Sequence, residues 1–334
     1  MHPKSASFTH DFSLALTKEC EFETAIQEQI HQLWLQVQTK VQIARDGKQL
    51  TWCKLTNENH TKAIVLINGR VESFCKYQEL FFDLYQQGYD VYSFDHRGQG
   101  LSERLTNNLD IGYVEQFDDY IHDLADLIKC FSLDHYQQRF LLAHSMGGAI
   151  TARYLQKYQP QQFQAAALTA PMMGIEVPTI VRPIAAPLMY AMSKLSSQPQ
   201  YAPGHKAYYL KPFENNPLTQ SSVRYHWFRQ LYEEIPELQL GGPSTHWVWQ
   251  SLKATQDIYA NAKDIPLPLL VIQASEEKIV SNTAQIRFMR RLASSRKDCV
   301  LKIIYGAQHE LLFEQDNYRQ ETLNTILNFF TRHQ

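Results

Sequence analysis

The sequence predicts an α/β protein: a mostly parallel central sheet flanked by helices, with a helical cap inserted late in the chain. Three observations carry this. Short, almost wholly apolar runs recur along the chain, amphipathic stretches of helical period separate them, and the alternation stops over residues 173–245 before resuming. Apolar runs of that length read as strands buried on both faces. Strand and helix in alternation imply parallel pairing through right-handed crossovers.

Taken in order, residues 41–55, VQIARDGKQLTWCKL, alternate β-prone and polar side chains about an Asp46-Gly47 turn and read as a hairpin. The buried strands follow as AIVLIN (63–68), DVYSFD (90–95), FLLA (140–143), AAALTA (165–170), LPLLVIQ (267–273) and VLKIIY (300–305). Helical periodicity falls at 77–87, 114–131, 147–158, 246–259, 282–292 and 317–330. Between 173 and 245, Pro178, Pro183, Pro187, Pro203, Pro212 and Pro217 punctuate a stretch rich in Tyr, Trp and Met. The expected organisation is therefore a core in two parts, 1–172 and 246–334, with 173–245 inserted between them as a cap.

The chain has 334 residues, 44% hydrophobic and 20% charged, which is enough apolar surface for a full core and too much for a disordered chain. Its 32 Lys+Arg against 34 Asp+Glu lack the basic excess that a nucleic-acid partner requires. Cys20, Cys53, Cys75, Cys130 and Cys299 form no C-x-x-C pair and read as reduced thiols rather than a disulfide framework or zinc site. No run of about 18 apolar residues occurs, and MHPKSASFTHDFSLALTKEC has no apolar export core. The expectation is a cytoplasmic protein, with at most peripheral contact on the inner face of the cell membrane and no obligate protein partner.

FLLAHSMGGAI sets Ser145 directly after a buried strand and before a helix opened by Gly147 and Gly148. This is the setting of a nucleophile elbow, G-x-S-x-G, where close approach of strand and helix favours glycine. Here Ala143 takes the first glycine's place. A serine hydroxyl needs a histidine to accept its proton and a carboxylate to orient that histidine. The chain order serine, acid, histidine selects His309, just past the last strand. For the acid, the loop after LPLLVIQ offers Glu276 and Glu277, and spacing favours Glu277. The oxyanion donors expected are the backbone N–H groups of Met146 and, from the loop Asn68-Gly69-Arg70, of Arg70. The Arg70 side chain is then free to meet an anionic substrate group. DHRGQGLSE lacks the third glycine of a dinucleotide loop and reads as a tight turn under the site.

With AHSMGG, NGR and DHRGQGLSE in place, the chain resembles the α/β-hydrolase superfamily, in its monoacylglycerol-lipase and lysophospholipase branch. NGRVESFCKYQEL, LTAPMMGI, GGPSTHWV and GAQHELLFE extend the resemblance over most of the chain. It implies a serine hydrolase that cleaves the one acyl ester of a lysophospholipid, with Ser145 as nucleophile, His309 as base and Glu277 as acid, and without cofactor or metal. The branch usually carries Asp at the position of Glu277. The alternative on the same machinery is a monoacylglycerol lipase or broad carboxylesterase. In the cap, IVRPIAAPLMYAMSKL (180–195) suits an acyl tunnel or a lipid surface. Tyr208, Tyr209, Phe213, Tyr225, Trp227, Phe228 and Trp247 are expected to supply apolar wall. Arg182, His205, Lys206, Arg224 and Arg229 are the candidates to meet a phosphate.

Overall fold

The structure, a computed structural model, describes residues 14–176 and 184–334. Eight strands form one sheet: β1 (Gln38–Ile43), β2 (Gln49–Leu55), β3 (Lys62–Ile67), β4 (Tyr89–Phe94), β5 (Gln138–His144), β6 (Ala165–Thr169), β7 (Leu269–Ala274) and β8 (Cys299–Ile304). They lie in the order β1-β2-β4-β3-β5-β6-β7-β8. The β1–β2 hairpin is antiparallel and joins β4 antiparallel, while β4, β3, β5, β6, β7 and β8 pair in parallel.

Side chains alternate across the sheet with the period of two that a strand imposes. On β3, Val65 and Ile67 enter one core layer and Ile64 and Leu66 the other. The first layer is closed by α4 (Phe117–Cys130), α5 (Met146–Tyr158), α8 (Thr245–Ala260) and α9 (Asn282–Leu292). The second is closed by α3 (Gln78–Gln86), α10 (Asp316–Thr331) and, from the segment between β6 and α8, α7 (Ser222–Glu234). That segment also holds α6 (Ala185–Ser193), which packs on α8.

Two features depart from the sequence reading. Residues before 41 form α1 (Glu19–Gln27) and α2 (Gln29–Trp34), whose Phe22, Ala25, Ile26 and Ile30 bury against Phe82, Val223 and Trp227. And β8, read as buried on both faces, is an edge strand in which only Ile304 is fully enclosed, with Tyr305 beyond it 77% exposed.

The site lies where the strand order reverses. From β3 the chain passes to β4 on one side, then crosses to β5 on the other. A crevice opens at the carboxyl ends of strands at such a point. The loops after β3 and β5 both empty into it.

Candidate active site

Ser145 links β5 to α5 with φ 51° and ψ −117°, a conformation costing a residue with a side chain about 1–3 kcal/mol. The turn is tight enough to require the glycines that follow. A Cβ on Gly147 would lie 2.3 Å from the Ile67 carbonyl oxygen, and one on Gly148 would lie 2.6 Å from Pro171 Cβ. Ala143, in the place of the motif's first glycine, is wholly buried in the core layer.

Tertiary folding brings three of the expected residues into one hydrogen-bonded run. His309 Nε2 is 3.0 Å from Ser145 Oγ, and His309 Nδ1 is 2.7 Å from Glu277 Oε2. Glu277 Oε1 accepts from the N–H groups of Ile279 at 2.7 Å and Val280 at 3.2 Å. Burial pushes the Glu277 carboxyl upward, but the hydrogen bond and charge attraction of His309, with those two N–H groups, leave it below its ordinary value. Glu276 is exposed and, among the described residues, accepts only from the hydroxyl of Ser275.

Gly69 packs against the serine, for a Cβ there would lie 3.2 Å from Ser145 Cβ. The flanking donors are engaged: Gly69 N–H donates to Glu72 Oε2 at 2.5 Å and Val71 N–H to Gln99 Oε1 at 3.3 Å. Neither the Arg70 N–H nor the Met146 N–H, at the first residue of α5, has a partner among the described residues. The Arg70 side chain donates from Nη2 to the Gly241 carbonyl at 2.7 Å and lies over the Trp247 ring.

A buried polar frame supports this loop. Gln99 Nε2 donates to the carbonyls of Gly69 and Glu72, each at 2.8 Å, so DHRGQGLSE braces the site from below. Asp95 accepts from Ser73 Oγ and from the N–H groups of Phe74 and Leu101, while burial raises its carboxyl to about 6. Lys76, 1% exposed, bridges Glu72 at 2.7 Å and Glu310 at 2.8 Å. Glu310 adjoins His309, so one ammonium ties the loop after β3 to the loop after β8. Burial, chiefly, also lowers His144 to about 3 and His96 to about 4, so both are neutral near pH 7. The sequence reading did not single out Glu72, Lys76, Gln99 or Glu310. The available signal was the Glu72–Lys76 spacing of four in an otherwise apolar stretch.

Other expectations divide. Arg224 does not face the site; it is fully buried and paired with Glu79 at 2.8 Å and Asp316 at 2.9 Å. Trp227 packs on Phe22 of α1, with ring centroids 5.8 Å apart, rather than lining the cleft. Arg182 and residues 180–183 of the apolar cap stretch lie outside the described residues. Among the described residues no cluster of His, Cys, Asp and Glu could hold a metal ion.

This sheet, with a serine elbow after its central strand and a histidine past its last, defines an α/β hydrolase. The chain belongs to the Hydrolase_4 family, described as serine aminopeptidase, S33, which it matches over residues 58–316. It is 36% identical over 324 residues to lysophospholipase L2 of Escherichia coli strain K12, covering 95% of this chain and 94% of that protein. It is equally 36% identical to the probable lysophospholipase L2 of Haemophilus influenzae, over 80% of this chain and 83% of that one. Among solved structures, a soluble variant of monoglyceride lipase from Saccharomyces cerevisiae with a substrate analogue aligns at TM-score 0.69 and 19% identity, covering 89% and 94% of the two chains.

Proposed function

We propose that this protein is a serine esterase that hydrolyses the single acyl ester of lysophospholipids, releasing a fatty acid and a glycerophospho head group. The observation that carries the substrate class is the likeness, over nearly the whole length of both chains, to the Escherichia coli protein called lysophospholipase L2. The reaction type rests on the hydrogen-bonded run from Glu277 through His309 to Ser145.

In this reading Ser145 Oγ attacks the ester carbonyl carbon as His309 Nε2 takes its proton. Glu277, on Nδ1, holds the ring in the required tautomer and stabilises it when charged. The N–H groups of Met146 and Arg70 receive the oxyanion, each such donor contributing roughly 10²–10³ in turnover. Collapse breaks the bond to the glycerol oxygen, which leaves with the proton from His309. Water then attacks the acyl-serine, His309 again takes the proton, and the fatty acid departs as Ser145 regains it.

The segment 173–245 acts as the cap over this site. From it α6 presents Leu188 and Tyr190 to solvent, with Ile184 and Leu195 at its ends, these four being 43–84% exposed. An apolar helix face of this kind suits peripheral contact with the inner face of the cell membrane, reached from the cytoplasmic side. None of the described helices is long and apolar enough to cross a membrane.

The test compares a lysophospholipid and a monoacylglycerol of one acyl chain in matched micelles, for wild type and Ser145→Ala. A Ser145-dependent preference for the lysophospholipid is expected. Preference for the monoacylglycerol would make this a neutral-lipid esterase, and turnover surviving in Ser145→Ala would remove the serine mechanism.

A further inference from the structure

Most buried cations of this protein are matched by carboxylates. Arg97 pairs with Asp123, Arg224 with Glu79, and Lys76 with two glutamates. On the cap side of the loop after β3, that rule breaks down. The buried Arg229 and half-buried Arg70 gather there with the exposed Lys206 and Lys211, and none forms an ion pair among the described residues.

Backbone contacts place them together. The Arg70 guanidinium holds the Gly241 carbonyl, and Gly241 and Gly242 pack on residues 206–208, with Gly242 N–H donating to the Lys206 carbonyl at 2.8 Å. The ammonium groups of Lys206 and Lys211 share one ring, lying 4.0 and 5.7 Å from the Tyr209 centroid. Tyr225 hydroxyl donates to the Lys211 carbonyl at 3.2 Å, and the Arg229 guanidinium lies 4.9 Å from the Tyr225 centroid. One turn further along α7, Tyr232 hydroxyl donates to the Val71 carbonyl, which returns the cluster to the loop of Arg70.

The two arginines form the base and the two lysines an exposed rim. Arg229 is 7% exposed, and its Nε, like that of Arg70, is buried without a hydrogen-bond partner. Two carboxylates lie nearby, but Asp110 accepts the Tyr208 N–H and Glu233 the Tyr208 hydroxyl, which also meets Arg229, and neither forms an ion pair with the four cations. The electrostatics agree with an unmatched positive cluster. Burial lowers Arg70 to about 10, and Lys211 is lowered by burial and then by Arg229, Arg70 and Lys206. Desolvated guanidinium groups are retained where an anion completes them, and their fork suits phosphate.

We propose that Arg70, Lys206, Lys211 and Arg229 form a subsite for the phosphate of the substrate head group, set beside the loop that receives the oxyanion. The assignment rests on the hydrolase reading above and adds the basis of its head-group preference. Arg224, five residues before Arg229 on the same helix, takes no part.

The experiment measures kcat/KM for a lysophospholipid and a monoacylglycerol of one acyl chain, and inhibition of lysophospholipid hydrolysis by inorganic phosphate, with rates on a short p-nitrophenyl ester normalising each preparation. In Arg229→Gln and Lys211→Gln the lysophospholipid-to-monoacylglycerol ratio is expected to fall about tenfold, mainly through KM, with Arg229→Lys retaining most of it. Phosphate should inhibit wild type competitively and the Gln variants less. An unchanged ratio with phosphate inhibition weakened would mean that the cluster holds free phosphate, overturning the head-group assignment. An unchanged ratio with unchanged inhibition overturns the subsite while the hydrolase reading stands. If wild type cleaves no ester, the hydrolase reading fails by itself. Calorimetric titration of phosphate then decides the subsite: binding lost in Arg229→Gln supports it, and no binding to wild type overturns it.

Discussion

Glu276 and Glu277 carry the same carboxyl group on adjacent residues, yet one is solvated and the other is hydrogen-bonded to His309 and to two backbone N–H groups. Their variants should separate accordingly. Glu277→Gln is expected to lower kcat on an ester by roughly 10⁴, as loss of a triad acid does, while Glu276→Gln stays close to wild type; equal losses in both would remove Glu277 from the mechanism. Two buried histidines make a second prediction. His144 and His96 are held near about 3 and about 4 in the fold, chiefly by burial, against an ordinary value of 6.5. A depressed base binds its proton more readily unfolded, so each costs stability as pH falls below 6.5, about 2 kcal/mol by pH 5. Asp95 and Asp123, raised by burial to about 6, act in the opposite sense, since they take up protons in the fold before the unfolded chain does. The net change from pH 7 to 5 should therefore be small. Replacing His144 by Gln removes one of its components, so that variant should gain about 2 kcal/mol relative to wild type between pH 7 and 5 in denaturant unfolding. A parallel pH dependence in the two proteins would contradict it.

At the scale of elements, the site is assembled from the ends of β3, β5, β7 and β8, and the loops that leave them must be held in register. The Lys76 ammonium does this between Glu72 and Glu310. It sits over the Phe228 and Phe313 rings, each centroid 4.3 Å away, so the strut is dry as well as paired. Removing one partner of such a buried set leaves charge uncompensated. Lys76→Met is expected to cost about 3–5 kcal/mol in denaturant unfolding at neutral pH, and Glu310→Leu added to it should restore part of the loss. A single variant as stable as wild type would show that the carboxylates find another partner.

Across the whole molecule, the exposed apolar side chains of α6 lie in the same inserted segment that supplies Lys206, Lys211 and Arg229 to the cleft. If that apolar face docks on lipid as proposed, one segment serves both the surface and the head group drawn from it. Turnover of a lysophospholipid should rise sharply as the substrate passes from monomer to micelle. Leu188→Ser with Leu195→Ser should blunt that rise while leaving hydrolysis of a soluble short ester alone. Equal rates on monomeric and aggregated substrate would argue against surface docking.

How much of this was legible follows the range of the forces involved. Runs such as AIVLIN, FLLA and LPLLVIQ announce strands buried on both faces because their burial is written in consecutive residues. The serine elbow is legible for the same reason: strand, Ser145 and the glycines that the turn requires are contiguous. What lay beyond reach depended on distant partners. The apolar stripe of α1 acquires meaning only against Phe82, Val223 and Trp227. VLKIIY reads like any inner strand, and only its place at the sheet edge leaves it half-solvated. Arg224 and Arg229 look alike on one helix, but Arg224 finds Glu79, 145 residues earlier in the chain, while Arg229 pairs with no carboxylate among the described residues. The sequence by itself determined the layered fold and the serine elbow, because local pattern encodes them, and that fold class in turn implies the chain order serine, acid, histidine. Only the tertiary structure decided which glutamate meets His309 and which cations stay unmatched beside it, because hydrogen bonds and charges are settled by proximity in space.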